Sequence, residues 1–423
     1  MNVNSPASAP PVVIIREVSR VPSANTSHSR LLCVDLLRGL VMVLMALDHT
    51  RSFFSGLHYG AEDLAYTTGP FFFTRFVTHF CAPVFFLLAG TGAALSLARG
   101  KSIAQVSRFF WTRGLWLVFL DLTVVAWSWT YTLPFWFSGV LWSLGWSMVA
   151  MAFLVRLRPS WIAALGAVMV ATHNLLDPVR PAAFGKFAGL WMILHGHGVF
   201  WLVPHETFFF VLFPVIPWIG VMALGYALGF VLRQGNWRKQ VAGIGALLTL
   251  AFVILRVFHL YGNSQAALQP WGGGAAGPWA VQRTLVLTVV SFFDTLKYPP
   301  SLQFLLMTLG PALMALAWFD KLNPERLWAR VILVFGRVPL FYYVIHLYLI
   351  HAMAVWVAFA YHQPSAWLLS GGFMLRMTPE EYGHGLPFIY AMWITAVVLL
   401  YPACKWFMKV KEQHKDWWWL SYL

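Results

Sequence analysis

Ten stretches of this chain are each apolar over about twenty residues, the length a helix needs to cross a bilayer. They fall near 32–54, 71–97, 107–130, 136–155, 160–176, 207–232, 241–261, 300–318, 339–360 and 388–407. A backbone inside hydrocarbon must satisfy its own hydrogen bonds, and a helix does so within one segment. The expected fold class is therefore all-α: a polytopic integral membrane helix bundle of about ten transmembrane helices. A further apolar patch, Phe187 to Val203, is interrupted by "HGHG" and reads either as a re-entrant segment or as an eleventh span. Composition points the same way. Of 423 residues, 59% are hydrophobic and 10% charged, against about 25% charged in a soluble domain.

The basic residues between the runs carry topology. One set of connections holds Arg99 and Lys101, Arg156 and Arg158, Arg233, Arg238 and Lys239, then Lys321, Arg326 and Arg330, and the tail adds Lys405, Lys409, Lys411 and Lys415. The opposite connections hold Arg180, Lys186, Arg283, Lys297 and Arg376. The positive-inside rule then places both termini in the cytoplasm and requires an even number of spans. The net charge of +14 is thus a topology signal, and nucleic acid is not an expected partner; the lipid bilayer is. Residues 1–30, rich in Pro, Ser and Ala, lack a signal-peptide core and cleavage site and read as a disordered cytoplasmic tail. Residues 31–409 read as a single membrane domain and 410–423 as a cytoplasmic C-terminal tail. Cys33, Cys81 and Cys404 have neither metal nor disulfide spacing, so no metal is expected. No Walker loop, dinucleotide fingerprint or internal repeat is present, which argues against an ATP-driven pump. The long segments 177–206, 262–299 and 361–387 fall on the outer side. "QPWGGGAAGPW", Gln269 to Trp279, reads either as a loop over a binding site or as a connector.

Charged groups inside the apolar runs are the functional signal, because an ionised side chain at the bilayer centre costs roughly 2.5–3.5 kcal/mol on insertion scales. The first run carries Asp35, Arg38, Asp48, His49 and Arg51. At 100° per residue, Asp35, Arg38 and His49 lie within about 60° of one another on a helix, with Asp48 flanking that stripe. The stripe should face the bundle interior or a wet cavity. Most of the 14 histidines fall toward the outer side, and each taken singly reads as structural. His49 stands apart because Asp48 adjoins it and Arg38 shares its face, and imidazole can take and return a proton near neutral pH. Arg75 and His79, four residues apart on the second span, and His346 in the ninth are candidates for a substrate pocket. Arg108 and Arg113 open the third span, where either anionic lipid or a phosphorylated cofactor would be met. Asp121 lies deeper, a candidate partner for an arginine.

"VDLLRGLVMVLMALDH" resembles the opening helix of the transmembrane acyltransferase superfamily, whose O-acetyltransferase branch has Asp, then Arg-Gly, then His fourteen residues past the Asp. Asp35, Arg38-Gly39 and His49 match that spacing. "APVFFLLAGTGAALSL" resembles the second-helix signature, and "KYPPSLQFLLMTLGP" and "GRVPLFYYVIHLYLIH" are similar to later helices of bacterial relatives of heparan-α-glucosaminide N-acetyltransferase. The resemblance implies transfer of an acetyl or longer acyl group from cytoplasmic acetyl-CoA to an extracytoplasmic glycan or small-molecule acceptor, in a bacterial inner membrane. It implies a catalytic His49, a motif arginine at Arg38, and a cytoplasmic arginine pair at Arg108 and Arg113 that with Arg38 holds the donor. Asp48 would orient the imidazole or keep it protonated. The heparan branch keeps its catalytic histidine in the first outer loop. Aligning the second helices puts Gly69 there, and the only histidine of that loop is His58, so His49 and His58 both stand as candidates. Two rival readings differ in class: a multi-pass transporter using an intramembrane Arg/His/Asp pathway, and a membrane scaffold whose polar groups only pack helices. Oligomeric state is left open.

Overall fold

The computed structural model describes residues 1, 31–56, 59–132, 136–203, 206–264, 277–370 and 378–422. The expected N-terminal tail, His58 and most of the glycine-rich loop after Gln269 lie outside the described residues.

Fifteen α-helices form among the described residues. α1 spans Leu32–Phe54, and α2, Gly69–Phe76, runs through a tight turn into α3, Cys81–Ala98. α4, Ile103–Leu120, passes through a π-helical turn at Asp121–Val125 into α5, Ala126–Thr130. Then follow α6 (Val140–Leu154), α7 (Pro159–Thr172), α8 (Ala188–Leu194), α9 (Ile216–Val231) and α10 (Trp237–Val257). The chain closes with α11 (Leu285–Phe293), α12 (Leu302–Phe319), α13 (Leu327–Arg337), α14 (Pro339–Ala360) and α15 (Leu386–Gln413). Their starts follow from local chemistry. Ser102 and Gln105 make a reciprocal capping box at α4, Ser301 caps α12, and prolines occupy the first turns of α2, α7, α14 and α15, where a missing N–H costs nothing.

α1 is the hub of the bundle, packed against α3, α12, α13, α14 and α15. Two pairs of glycines set how closely helices approach. A side chain at Gly39 would strike the Ile332 backbone of α13, and one at Gly336 would strike the Asp35 carbonyl of α1. α3 and α9 meet in the same way at Gly90 and Gly225, sealed by Thr91 Oγ1 donating to the Gly225 carbonyl at 2.9 Å. Small residues permit this approach, and it suits helix pairs that gain nothing from squeezing out water.

Among the described residues, seven helical segments are long and apolar enough to cross a membrane by length and composition. α1 has the length but carries five charged or imidazole groups, and α6 and α9 are shorter. Burial grades across the bundle: α12 is 72% buried over its most apolar window, α10 only 22% and α15 only 17%. Helices as apolar as α10 and α15 cannot present Leu247, Leu250, Ile394 and Val398 to water, so lipid covers them and the protein is an integral membrane protein.

The bundle is not purely helical. β1 (Trp136–Ser138), β2 (Gly198–Val203) and β3 (Thr207–Val211) form a sheet in the order β1-β3-β2, β3 running parallel to β1 and antiparallel to β2. The Phe187–Val203 patch is therefore not an eleventh helical span. It is the short α8 followed by a strand, because the "HGHG" break ends the helix at Leu194 and the β-branched and aromatic run after it pairs with β3. Asp121 also departs from expectation. Among the described residues no arginine pairs with it; it accepts the Gly139 N–H at 2.7 Å, just ahead of α6, where the helix dipole favours a negative group.

Candidate active site

At one end of the hub helix the chain leaves a cavity of about 270 Å³. Its walls come from distant parts of the sequence: Asp48, His49 and Arg51 of α1, Glu62 of the following loop, Arg75 and Phe85 of the α2–α3 segment, Trp129, Lys297 and Tyr343. Each side chain is set by its element. Asp48, His49 and Arg51 ride the last turns of α1. Glu62 is held in place because its loop is folded, with Thr67 Oγ1 donating to the Ala61 carbonyl at 2.7 Å and Ala61 itself buried.

His49 Nδ1 lies 2.7 Å from His346 Nε2 of α14, and His346 Nδ1 lies 3.0 Å from the Tyr342 carbonyl one turn earlier. The carbonyl has only lone pairs to offer, so the His346 Nδ1–H donates to it. A neutral His346 then presents its Nε2 lone pair, and His49 Nδ1 must carry the hydrogen. His49 Nε2 is left as a lone pair on the ring that lines the cavity. The edge-on Trp129, with ring centroids 5.0 Å apart, fixes the plane of the imidazole.

Beside this pair is an ionic cluster. Arg75 bridges two carboxylates, contacting Asp48 through one guanidinium nitrogen and Glu62 through Nε at 3.0 Å, while Arg51 reaches the other Asp48 oxygen at 3.2 Å. His79 Nε2 stands 3.6 Å from the same Glu62 oxygen, an electrostatic contact too long for a hydrogen bond. Burial works to raise the Glu62 pKa, but Arg75 and then His79 outweigh it and hold the carboxyl well below its ordinary range.

The structure thus brings together His49, Asp48, Arg75, His79 and His346. Asp48 is close to the imidazole in sequence, but both of its oxygens are taken by arginines and the ring is oriented by His346 instead. Arg38 is at the other end of α1, donating to Asp35 at 3.0 Å and to the Gly336 carbonyl at 3.2 Å, and it does not line the cavity. It points into the bundle nonetheless. Arg113 lies within electrostatic reach of Arg38 and Tyr422. Arg108, five residues before Arg113 and so about 140° around α4, is exposed. The two arginines do not form a single station. Other histidines are spent on the scaffold: the ring nitrogens of His351 lie 2.8 and 2.9 Å from the Ser128 and Leu368 carbonyls, and those of His173 lie 3.0 and 2.7 Å from the Val170 and Pro300 carbonyls.

Glu62, Lys297 and Trp129 are cavity residues that sequence reasoning missed. Glu62 had one available signal. In a chain with only 15 acidic residues, the Arg75/His79 pair on an apolar helix calls for a nearby carboxylate. No group of three or more His, Cys, Asp or Glu with metal-binding geometry occurs among the described residues.

Residues 30–256 match the family model described as "Heparan-alpha-glucosaminide N-acetyltransferase, catalytic". No curated protein matches the chain. The match takes in α1 through nearly all of α10, with the hub helix and the ionic cluster; Lys297 and Tyr343 complete the cavity wall from beyond it, and His346, also beyond it, backs His49.

Proposed function

The chain belongs to the heparan-α-glucosaminide N-acetyltransferase catalytic family, which makes it a membrane-embedded transferase, and from that membership we propose that it moves an acetyl group from acetyl-CoA to an extracytoplasmic glycan or small-molecule acceptor with His49 as general base. The observation that carries this reading is the His49–His346–Tyr342 chain, which leaves a lone pair on Nε2 of a histidine in a cavity wall.

Acetyl-CoA, when bound, supplies the acyl group as a thioester. His49 Nε2 takes the proton of the acceptor amine or hydroxyl as the new bond to the acyl carbon forms. The same proton is then available to the departing sulfur as the carbon–sulfur bond breaks, so the ring returns to its starting tautomer. His346 holds the second ring nitrogen throughout and keeps Nε2 turned to its task. The arginine-bridged Asp48 supplies a fixed negative charge next to the imidazole, which favours the protonated ring as it forms.

For the donor phosphates, the residues that fit are Arg38 and Arg113. They are two cations brought within electrostatic reach of each other at the end of the bundle remote from His49. The distribution of basic connections supports a cytoplasmic position for that end and for both termini, and the family resemblance supports a bacterial inner membrane. The deciding experiment is transfer of labelled acetyl from acetyl-CoA by purified wild type and His49→Ala. Loss of transfer in a variant that still inserts and binds CoA supports the assignment; full activity rejects it. His58, the other candidate, is separated from His49 by the same assay on His58→Ala, which is expected to remain active.

A further inference from the structure

The described charged residues lining the cavity do not balance. Asp48 and Glu62 face Arg51, Arg75 and Lys297. The first two cations are accounted for, since Arg51 holds Asp48 and Arg75 bridges Asp48 and Glu62. Lys297 is not. Its side chain is buried to 5% exposure, and among the described residues no carboxylate lies within 4.0 Å of its ammonium. What the ammonium has instead is the face of the Tyr298 ring, 5.2 Å from the centroid. A buried ammonium without an anionic partner is costly, so such a group persists where something else meets it.

Lys297 is also held rigidly. It sits on the turn between α11 and α12, where its backbone pairs with Pro300. Leu296 N donates to Asn263 Oδ1 at 2.9 Å and Ser301 N to the Leu296 carbonyl at 2.8 Å. A cation fixed in a cavity wall by the scaffold is pre-organised to receive charge. The space suits a single sugar-sized unit, being below the roughly 300–1,000 Å³ of pockets for drug-sized ligands.

Resting on the acyl-transfer reading, we propose that Lys297 binds an anionic group of the acceptor: a carboxylate, sulfate or phosphate ester on the molecule whose amine or hydroxyl meets His49. The one positive charge in excess among the described lining residues then becomes a specificity device, neutralised when an acidic acceptor enters and left buried when a neutral one does.

The test is thermal unfolding of the full-length protein in neutral phosphatidylcholine nanodiscs with D-glucuronate, glucose 6-phosphate or glucose 6-sulfate, against D-glucose at matched ionic strength. At least one anionic sugar should raise Tm saturably while glucose does not. Lys297→Met should raise the half-saturating concentration at least tenfold, and Lys297→Arg should keep most of the response. Absence of stabilisation by all three anions, an equal response to glucose, or an undiminished response in Lys297→Met overturns the proposal. If Lys297→Met does not fold, Lys297→Gln takes its place, and the comparison of anionic with neutral sugars on wild type decides alone. Nanodiscs containing phosphatidylglycerol separate the sources of the anion: abolition of the sugar response there assigns the site to a lipid headgroup and overturns an acceptor role. Since the readout is binding, an inactive transferase assay rejects the acyl-transfer reading without touching this result, and the reverse also holds.

Discussion

His49 owes its free Nε2 to a neighbour 297 residues along the chain, and the pair can be taken apart by substitution. His346→Leu removes the acceptor for the His49 Nδ1–H and lets the ring turn or change tautomer. We expect kcat to fall about 100-fold, near the lower end of what general-base catalysis supplies. His346→Gln, whose side-chain carbonyl can still accept that hydrogen, should retain clearly more activity; equal losses in the two variants would rule out tautomer control. Initial rates at saturating donor and acceptor measure both. Arg75 is the second pressure point. Arg75→Met leaves Glu62 buried without its arginine and Asp48 with Arg51 alone, and should cost about 3 kcal/mol in unfolding free energy. Arg75→Lys should recover only part of it, because an ammonium lacks the planar fork that spans two carboxylates. The adjacency of Asp48 and His49 is plain in the sequence, as is the need for the first span to turn inward. The His49–His346 bond, by contrast, depends on how α14 is rotated against α1, and no local pattern encodes that.

Packing between elements decides that rotation. Gly336 lets α13 lie directly on the Asp35 carbonyl of α1, so Gly336→Val has backbone in its way and should destabilise by about 3 kcal/mol, read as a lowered Tm in detergent. Loss of Tm should bring loss of transfer with it, because α13 leads straight into α14 and His346. The connection between α8 and β2 offers a pH probe. Burial lowers the His197 pKa from 6.5 to about 4. Between those values the unfolded chain binds a proton that the folded chain refuses. The stabilisation present above pH 6.5 is therefore lost as pH falls across that window, by about 3 kcal/mol in all. Thermal melts of His197→Phe should show a shallower acid limb than wild type from pH 6.5 to 4. The long helices were legible because hydropathy over twenty residues is a strong signal, whereas α11 and α13 fall in stretches that read as connections. The sheet was not, since strands of three to six residues within apolar sequence have the same composition as the helices around them.

Orientation in the bilayer belongs to the molecule as a whole. The three native cysteines are buried, so a membrane-impermeant maleimide should label only cysteines introduced at the surface. In intact cells Lys186→Cys should be modified and Asn323→Cys protected until the membrane is opened; the reverse pattern would invert the topology and put the donor on the wrong side. The alternation of basic connections made this expectation readable from sequence. The ionic cluster was only half readable, for Glu62 and Lys297 lie in connections where charge is ordinary and only the folded chain shows that they are buried. One consequence comes from the position of α1 at the centre of five neighbours. His49 is carried by the element least able to move independently, so small dislocations anywhere in its surroundings converge on one imidazole. A random mutagenesis screen should accordingly return inactive clones scattered from the second helix to the last, many of them well expressed and far in sequence from position 49.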